Sequence, residues 1–252
     1  MREIARLMAH AHRPTVLTGA GISAESGIPT YRGAGGFWKN EDEVMRLATL
    51  EGFLRDPRAV WEFYDQRRVQ ASAVKPNPGH EALAQYESRS FTRGRPFALI
   101  TQNVDGLHLR AGNMKVLELH GSIWHARCMK GCSPELVTRP ETPLPEYPPE
   151  CPRCGAMLRP HIVWFGEQLH PAIIEESYAS AEESDLMLVV GTSSTVYPAA
   201  GFPYVVKRAG GTVVQINLEP TELSSAADYN IYGKSGEILP ELMLLVEVGD
   251  KL

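Results

Sequence analysis

Thr18 to Gly33 reads TGAGISAESGIPTYRG, and its glycine spacing suits a backbone turn closed around a phosphate. Gly19 and Gly21 permit a tight turn and close approach to a pyrophosphate, and Gly19-x-Gly21-x-x-Ala24 satisfies the dinucleotide pattern G-x-G-x-x-G/A. Ser23 is placed to begin a helix whose amide end attracts anions. A hydride-transfer enzyme built on this pattern needs an acidic residue ending a second strand about 20 residues on. Glu41, Asp42 and Glu43 stand near that distance, but they follow Tyr31 to Asn40 (YRGAGGFWKN), which has three glycines and no apolar run and reads as a loop. A dehydrogenase is therefore disfavoured.

All four cysteines fall in one short segment, Cys128, Cys132, Cys151 and Cys154, as C-x3-C and C-x2-C with eighteen residues between the pairs. Thiolate pairs so spaced converge on a tetrahedral zinc. Four thiolates leave no open position for water, so the expected metal is structural. Two disulfides are the competing reading, disfavoured in a chain with no signal peptide.

Other polar groups follow apolar runs. Thr101-Gln102-Asn103-Val104-Asp105-Gly106-Leu107-His108 comes directly after FALIT, placing two amides and a carboxylate where a strand would end, suited to a ribose or to an ordinary loop with capped turns. His120-Gly121 follows KVLEL in the same way, and an imidazole with an ordinary pKa near 6.5 suits proton abstraction at neutral pH. Gly191-Thr192-Ser193-Ser194 ends a third run and fits phosphate contact. Asn217-Leu218-Glu219 ends a fourth, where a ribose hydroxyl or a simple turn is served.

The elements positioning these groups are candidate strands Pro14 to Thr18, Phe97 to Thr101, Lys115 to Leu119, Leu186 to Gly191 and Thr212 to Asn217. Helical patterns at Gly79 to Ser88, Pro171 to Glu183, Gly201 to Ala209 and Gly236 to Val246 alternate with them. The alternation predicts an α/β fold, a Rossmann-like parallel sheet with helices on both faces. Two segments depart from it: Arg32 to Ser72, with helical stretches Glu43 to Leu54 and Pro57 to Ala71, and Ser122 to Pro160, with the cysteines. Both read as insertions, giving a large lobe at about 1–31, 73–121 and 161–252. The smaller helical and zinc-binding lobe takes about 32–72 and 122–160, and a cleft between lobes is the natural binding site.

At 252 residues, 43% apolar and 22% charged, the chain is expected to be a globular protein with a sizeable core. Its net charge of -5 argues against nucleic acid as a partner. The absence of an apolar run of about 18 residues and of a secretory apolar region makes the cytoplasm the default location.

The motifs G-A-G-x-S-x-x-S-G-I-P-x-x-R-G, T-Q-N-V-D-G-L-H, H-G, C-x3-C plus C-x2-C, G-T-S and I-N-x-E occur in the order found in sirtuins, which the chain resembles over nearly its whole length. The resemblance implies an NAD-dependent protein-lysine deacylase. The acyl-lysine carbonyl oxygen would attack the nicotinamide ribose, nicotinamide would leave, and the products would be lysine and O-acyl-ADP-ribose. By motif position it implies an NAD site at Gly19, Ala20, Gly21, Glu25, Thr30, Tyr31, Arg32, Gln102, Asn103 and Asp105. The adenosine part would lie against Gly191, Thr192, Ser193, Asn217, Leu218 and Glu219. His120 becomes the general base, Asn103 positions water or ribose, and Asp105 binds the nicotinamide amide. Thr30-Tyr31 replaces the family's usual Asp-Phe before the arginine, a departure that bears on nicotinamide exchange.

Tyr64 and Arg67 are three apart in a helical stretch and share a face, where a phenol and a cation suit a carboxylate or simply an amphipathic surface. Within the family, Y-x-x-R here looks like the signature of members that remove succinyl and malonyl groups, and Ala48 matches the small pocket residue found with it. Acyl-lysine proteins or peptides are the implied substrates, with deacetylation retained. A mono-ADP-ribosyltransferase on the same NAD cleft is one alternative. A non-enzymatic zinc module is another, but Arg127, Lys130, Arg139, Arg153 and Arg159 are balanced by Glu135, Glu141, Glu146 and Glu150, which does not suit phosphate gripping.

Overall fold

The structure, a computed structural model, describes residues 1–30, 41–135, 137–138 and 141–249. The chain begins with helix α1 (Arg2–His10), strand β1 (Pro14–Thr18) and a short helix α2 (Gly21–Ala24). Helices α3 (Glu41–Leu47), α4 (Leu50–Arg55), α5 (Pro57–Ala73) and α6 (Pro78–Thr92) precede β2 (Ala98–Thr101), and α7 (Leu107–Ala111) leads to β3 (Val116–Glu118). Strands β4 (Gly121–Cys128), β5 (Val137–Thr138) and β6 (Leu158–Ile162) come next. The chain finishes with α8 (Pro171–Glu182), β7 (Leu186–Val190), α9 (Phe202–Arg208), β8 (Thr212–Asn217), β9 (Tyr229–Tyr232) and α10 (Ser235–Gly249).

Six parallel strands form one sheet in the order β3-β2-β1-β7-β8-β9, with Leu17 opposite both Ile100 and Val189. Successive strand residues face opposite ways, and both faces are covered. Val16, Leu99, Leu188 and Val214 pack with Met8 of α1, Leu83 of α6 and Leu242 of α10. Their neighbours Leu17, Ile100, Val189 and Val213 pack with Ala181 of α8 and Phe202 of α9. This double coverage is why the central strands are continuous apolar runs rather than alternating ones. Each fully buried Leu, Ile or Val contributes about 1.5–3 kcal/mol relative to exposure. The strand order reverses between β1 and β7, so the crevice beyond their carboxyl ends is where ligands bind in such sheets.

A second core joins the helices after β1 to an antiparallel sheet of order β5-β4-β6. Phe53, Trp61 and Tyr64 pack there with Ile123, Leu158 and Trp164, and Trp61 Nε1 donates to the Leu158 carbonyl at 2.9 Å. Asp56 accepts from the Ala59 amide and Pro57 occupies the first turn, so α5 has a defined start.

Two sequence expectations are corrected. Glu43 to Leu54 is not one helix but two, because Thr49 adopts an extended φ of -134° and caps α4 by accepting from the Gly52 amide. Ser23 lies inside α2, whose N-cap is Ala20, so Ser23 does not begin the helix. The amphipathic α1 and the edge strand β9 also join the sheet domain, although neither was expected.

Candidate active site

Three glycines bring the turn after β1 against the end of β7. A Cβ on Gly19 would stand 2.7 Å from Thr192 Cβ, and one on Gly21 would stand 2.7 Å from Gly191 Cα. Gly191 has a φ of +61°, and its own Cβ would meet the Ile22 amide nitrogen at 2.5 Å. No side chain fits between these backbones, which are held by Gly19 N to Val190 O at 3.0 Å and Gly21 N to Gly191 O at 2.8 Å.

At the adjoining end of β2, Gln102 Nε2 donates to Thr192 Oγ1 at 3.0 Å. Asn103 Nδ2 donates to the Gly19 carbonyl at 3.0 Å and to Ser23 Oγ at 3.2 Å, and Ser23 Oγ donates to Asp105 Oδ2 at 2.7 Å. The other Asp105 oxygen accepts the Leu107 amide at 2.8 Å. Burial raises the Asp105 pKa, opposed by that amide and the Ser23 hydroxyl. Ala20, Asn103, Val104 and Asp105 line a cavity with Ile28, Pro29, Ile123 and Arg67. Thr30 is half-buried. Tyr31 and Arg32 lie outside the described residues.

His120 follows β3, and its Nδ1 lies 3.0 Å from the Gln102 carbonyl oxygen. A carbonyl only accepts, so Nδ1 carries the hydrogen and Nε2 keeps the lone pair. Burial lowers the His120 pKa, opposed by this bond. Gly121, at φ +78°, lets the chain pass the His161 carbonyl, which a Cβ would meet at 2.2 Å.

Other expected contacts are dispersed. Ser193 Oγ pairs with Thr195 Oγ1 at 2.9 Å, whereas the buried Ser194 Oγ has no partner among the described residues. Asn217 Nδ2 donates to the Glu219 carbonyl at 3.1 Å, and Leu218 is 63% exposed. These three lie at the end of β8, beyond β7. Glu25 turns to the start of α10, where Oε1 accepts the Gly236 amide at 2.8 Å and the Ser235 hydroxyl at 3.2 Å.

Ala48 and Tyr64 are buried in the second core. The Ala48 carbonyl accepts the Phe165 amide at 3.0 Å, and Tyr64 Oη accepts Trp164 Nε1 at 3.0 Å. Arg67 stacks on the Phe63 ring at 3.2 Å and reaches the same cavity as Asn103 and Asp105. Three residues outside the sequence motifs shape this wall. Trp164 bonds Tyr64, Arg159 lies 3.5 Å over the Trp164 ring, and Glu167 pairs with Arg159 through Oε1 at 2.6 Å. Burial raises the Glu167 pKa, but Arg159 and the Trp164 amide outweigh it and lower it overall.

Glu118 is a further missed group, pushed up to about 7 by burial and by Asp105. Its position two residues before His120 was the available signal.

The four thiols converge. Cys128 Sγ to Cys154 Sγ and Cys132 Sγ to Cys151 Sγ are each 3.6 Å, with all four sulfurs within 4.8 Å of one another. No pair is bridged. Tetrahedral zinc with Zn–S of about 2.3 Å requires sulfur separations of about 3.8 Å, so the set fits that ion. The Cys132 and Lys130 amides lower the Cys128 pKa and those of Arg153 and Cys154 lower that of Cys151, whereas the Cys154 thiol, burial and the Cys151 thiol push Cys132 up to about 12.

The Sir2 family model matches residues 19–198. The chain is 48% identical over 240 residues to NAD-dependent protein deacylase 2 of Pyrobaculum aerophilum, covering 95% of this chain and 93% of that protein. It is 42% identical over 270 residues to the mitochondrial NAD-dependent protein deacylase sirtuin-5 of Canis lupus familiaris, covering 99% and 87% respectively. A solved Sir2 homologue in complex with NAD superposes with a TM-score of 0.89 at 39% identity, over 99% of this chain and 94% of that one. The glycine crevice, the strand-end amides and the thiol cluster therefore sit in a chain that belongs to the Sir2 family.

Proposed function

We propose that the chain is an NAD-dependent protein-lysine deacylase acting on acetyl-lysine and, through Tyr64 and Arg67, on succinyl- and malonyl-lysine. The reading is supported by relatives that bear the name NAD-dependent protein deacylase and by a homologue that binds NAD. One observation carries the acyl choice: a single cavity has Asn103 and Asp105 on its wall together with the Arg67 cation.

NAD fits the glycine crevice, where backbone replaces side chain, and Ser194 Oγ is a buried hydroxyl lacking a partner among the described residues. When bound, NAD supplies an electrophilic ribose carbon and a nicotinamide leaving group. Gly19, Gly21, Gly191 and Thr192 would approach its phosphates, and Asp105 would hold the nicotinamide amide. Asn103, anchored to Gly19 and Ser23, orients water or ribose. His120 Nε2 takes a proton from a ribose hydroxyl, with Nδ1–H fixed by Gln102. Ile28, Pro29, Val104 and Ile123 make the cavity wall apolar and limit water. Cys128, Cys132, Cys151 and Cys154 would hold a structural zinc.

The test compares kcat/KM for acetyl-, malonyl-, succinyl- and longer acyl-lysine peptides with NAD, following O-acyl-ADP-ribose by mass spectrometry. Turnover of acetyl, malonyl and succinyl substrates is expected. ADP-ribose attached to protein without deacylation would overturn the reading.

A further inference from the structure

His108 closes the motif that contributes Gln102, Asn103 and Asp105, yet the reaction proposed above gives it no part. It lies on α7, buried at 2% exposure, and its Nε2 stands 2.9 Å from the Thr18 hydroxyl oxygen at the end of β1. Thr18 Oγ1 donates to Thr101 Oγ1 at 2.8 Å, joining the ends of β1 and β2, and Thr101 Oγ1 accepts the Asn103 amide at 3.1 Å. Thr18 and Thr101 are buried as well. Three side chains thus form an unbroken polar chain, shut off from water, that runs from α7 to the backbone of Asn103.

We propose that His108 is a positioning residue for the deacylation, holding Asn103 in place through the Thr18 and Thr101 hydroxyls. The inference rests on the role given to Asn103 above and adds a residue that acts through it. Thr18 has one hydroxyl hydrogen and directs it to Thr101, so toward His108 its oxygen accepts and His108 Nε2 carries the ring hydrogen. Burial, and then the neighbouring His80, hold the His108 pKa well below 6.5, so the ring is neutral at neutral pH. The group therefore orients a hydroxyl and carries no charge into the site.

Asn103 depends on this chain at both its ends. Its amide rests on Thr101, and its Nδ2 donates at 3.0 Å to the carbonyl of Gly19, the residue that follows Thr18. Between them, the Gln102 amide donates to the Thr18 carbonyl at 3.0 Å. Where Asn103 stands against the glycine turn is thus set by how the two hydroxyls meet, and a hydroxyl rotates freely unless a further partner fixes it. His108 is that partner. The imidazole is itself held, with the His80 ring 4.8 Å away and the His108 carbonyl accepting the Asn113 amide at 3.1 Å. One residue before it, the Leu107 amide donates to Asp105 Oδ1 at 2.8 Å, so α7 is tied to the site from both sides of the motif.

The experiment measures kcat and KM for an acetyl-lysine peptide with NAD in H108Q, H108L, T18V and the H108L/T18V double variant, with N103A as control and Tm recorded for each. A glutamine amide nitrogen reaches the place of the imidazole Nε2, so H108Q keeps the donor, whereas H108L keeps only bulk. Misplacing an orienting group costs turnover, and H108L and T18V are each expected to lower kcat about tenfold with KM for the peptide little changed. H108Q is expected to keep most of the parent kcat. In the T18V background H108L is expected to lower kcat no further. An equal loss in H108Q and H108L, additive losses in the double variant, or a lower Tm with kcat unchanged would overturn the role of His108. If N103A leaves kcat unchanged, the role of Asn103 fails; if N103A lowers kcat and H108L does not, only the His108 inference fails.

Discussion

Nδ1 of His120 stands 3.0 Å from the Gln102 carbonyl oxygen, which assigns the proton to Nδ1 and the basic lone pair to Nε2. Burial lowers the His120 pKa below its ordinary value of 6.5, so the imidazole stays neutral to lower pH than a free one. The acid limb of kcat/KM assigned to this group is accordingly expected below pH 6.5. Replacing His120 with Ala should cost about 10²- to 10⁴-fold in turnover while leaving the circular dichroism spectrum unchanged. Near-normal turnover would remove the general-base role.

Arg67→Met keeps an unbranched stem of similar length over Phe63 but removes the cation from the cavity. If the guanidinium binds a succinyl carboxylate, kcat/KM for a succinyl-lysine peptide should fall by about 10- to 100-fold, the equivalent of roughly 1.5–3 kcal/mol for a charge-assisted bond. The acetyl-lysine peptide has no such carboxylate and should lose far less. Equal losses on both would show that Arg67 supports the helix instead of the substrate.

The parts visible in the sequence are those determined by chain-local pattern. Thr212–Asn217 was expected with the same bounds as β8, because its interior residues are buried and both sheet faces demand apolar side chains. Tyr229–Tyr232, by contrast, lies at the sheet edge with alternating half-buried and exposed residues, too short and too wet to announce a strand. The break at Thr49 depends on Gly52 passing within 2.3 Å of the Arg46 carbonyl, measured from the Cβ it lacks, a tertiary constraint that helical periodicity does not record. The same applies to the site. Strand-end placement and motif order pointed to Asn103, Asp105 and His120, whereas Trp164 reaches Tyr64 across one hundred residues and leaves no mark in spacing. Glu25, which its motif position assigns to the cofactor, also accepts the Gly236 amide at the start of α10, a contact that spacing does not record either.

Asp65 and Arg68 form an ion pair at 2.9 Å with side chains 2% and 0% exposed, one turn apart on α5. Asp65 Oδ2 also accepts the Leu144 amide at 2.9 Å and the Tyr147 hydroxyl at 2.7 Å, while Arg68 donates to the Glu141 carbonyl at 3.0 Å and to Thr142 Oγ1. The pair thus ties α5 to the segment before Cys151. Removing either partner strands the other charge in the interior, for which about 3–5 kcal/mol is expected. Arg68→Met and Asp65→Asn should each lower the urea midpoint substantially, and a loss below about 1 kcal/mol in both would mean that the charges find other partners.

Zinc removal should act through the same region. Cys151 is 4% exposed and belongs to the core shared by Trp61, Tyr64 and Trp164, so loss of the ion would leave unneutralised thiolate charge beside apolar packing. Ligands that converge only in the folded chain make metal affinity part of folding stability. Treatment with a strong chelator is therefore expected to lower Tm, change the tryptophan fluorescence of that core and abolish deacylation. The parallel sheet has its own two apolar layers and no cysteine, so most of its far-ultraviolet dichroism should survive the treatment. Cys151→Ser should reproduce the chelated state and bind less than one equivalent of zinc by mass spectrometry. A full equivalent of zinc bound to the variant, or an unchanged Tm after the metal is stripped from the parent, would show that these thiols do not staple the fold.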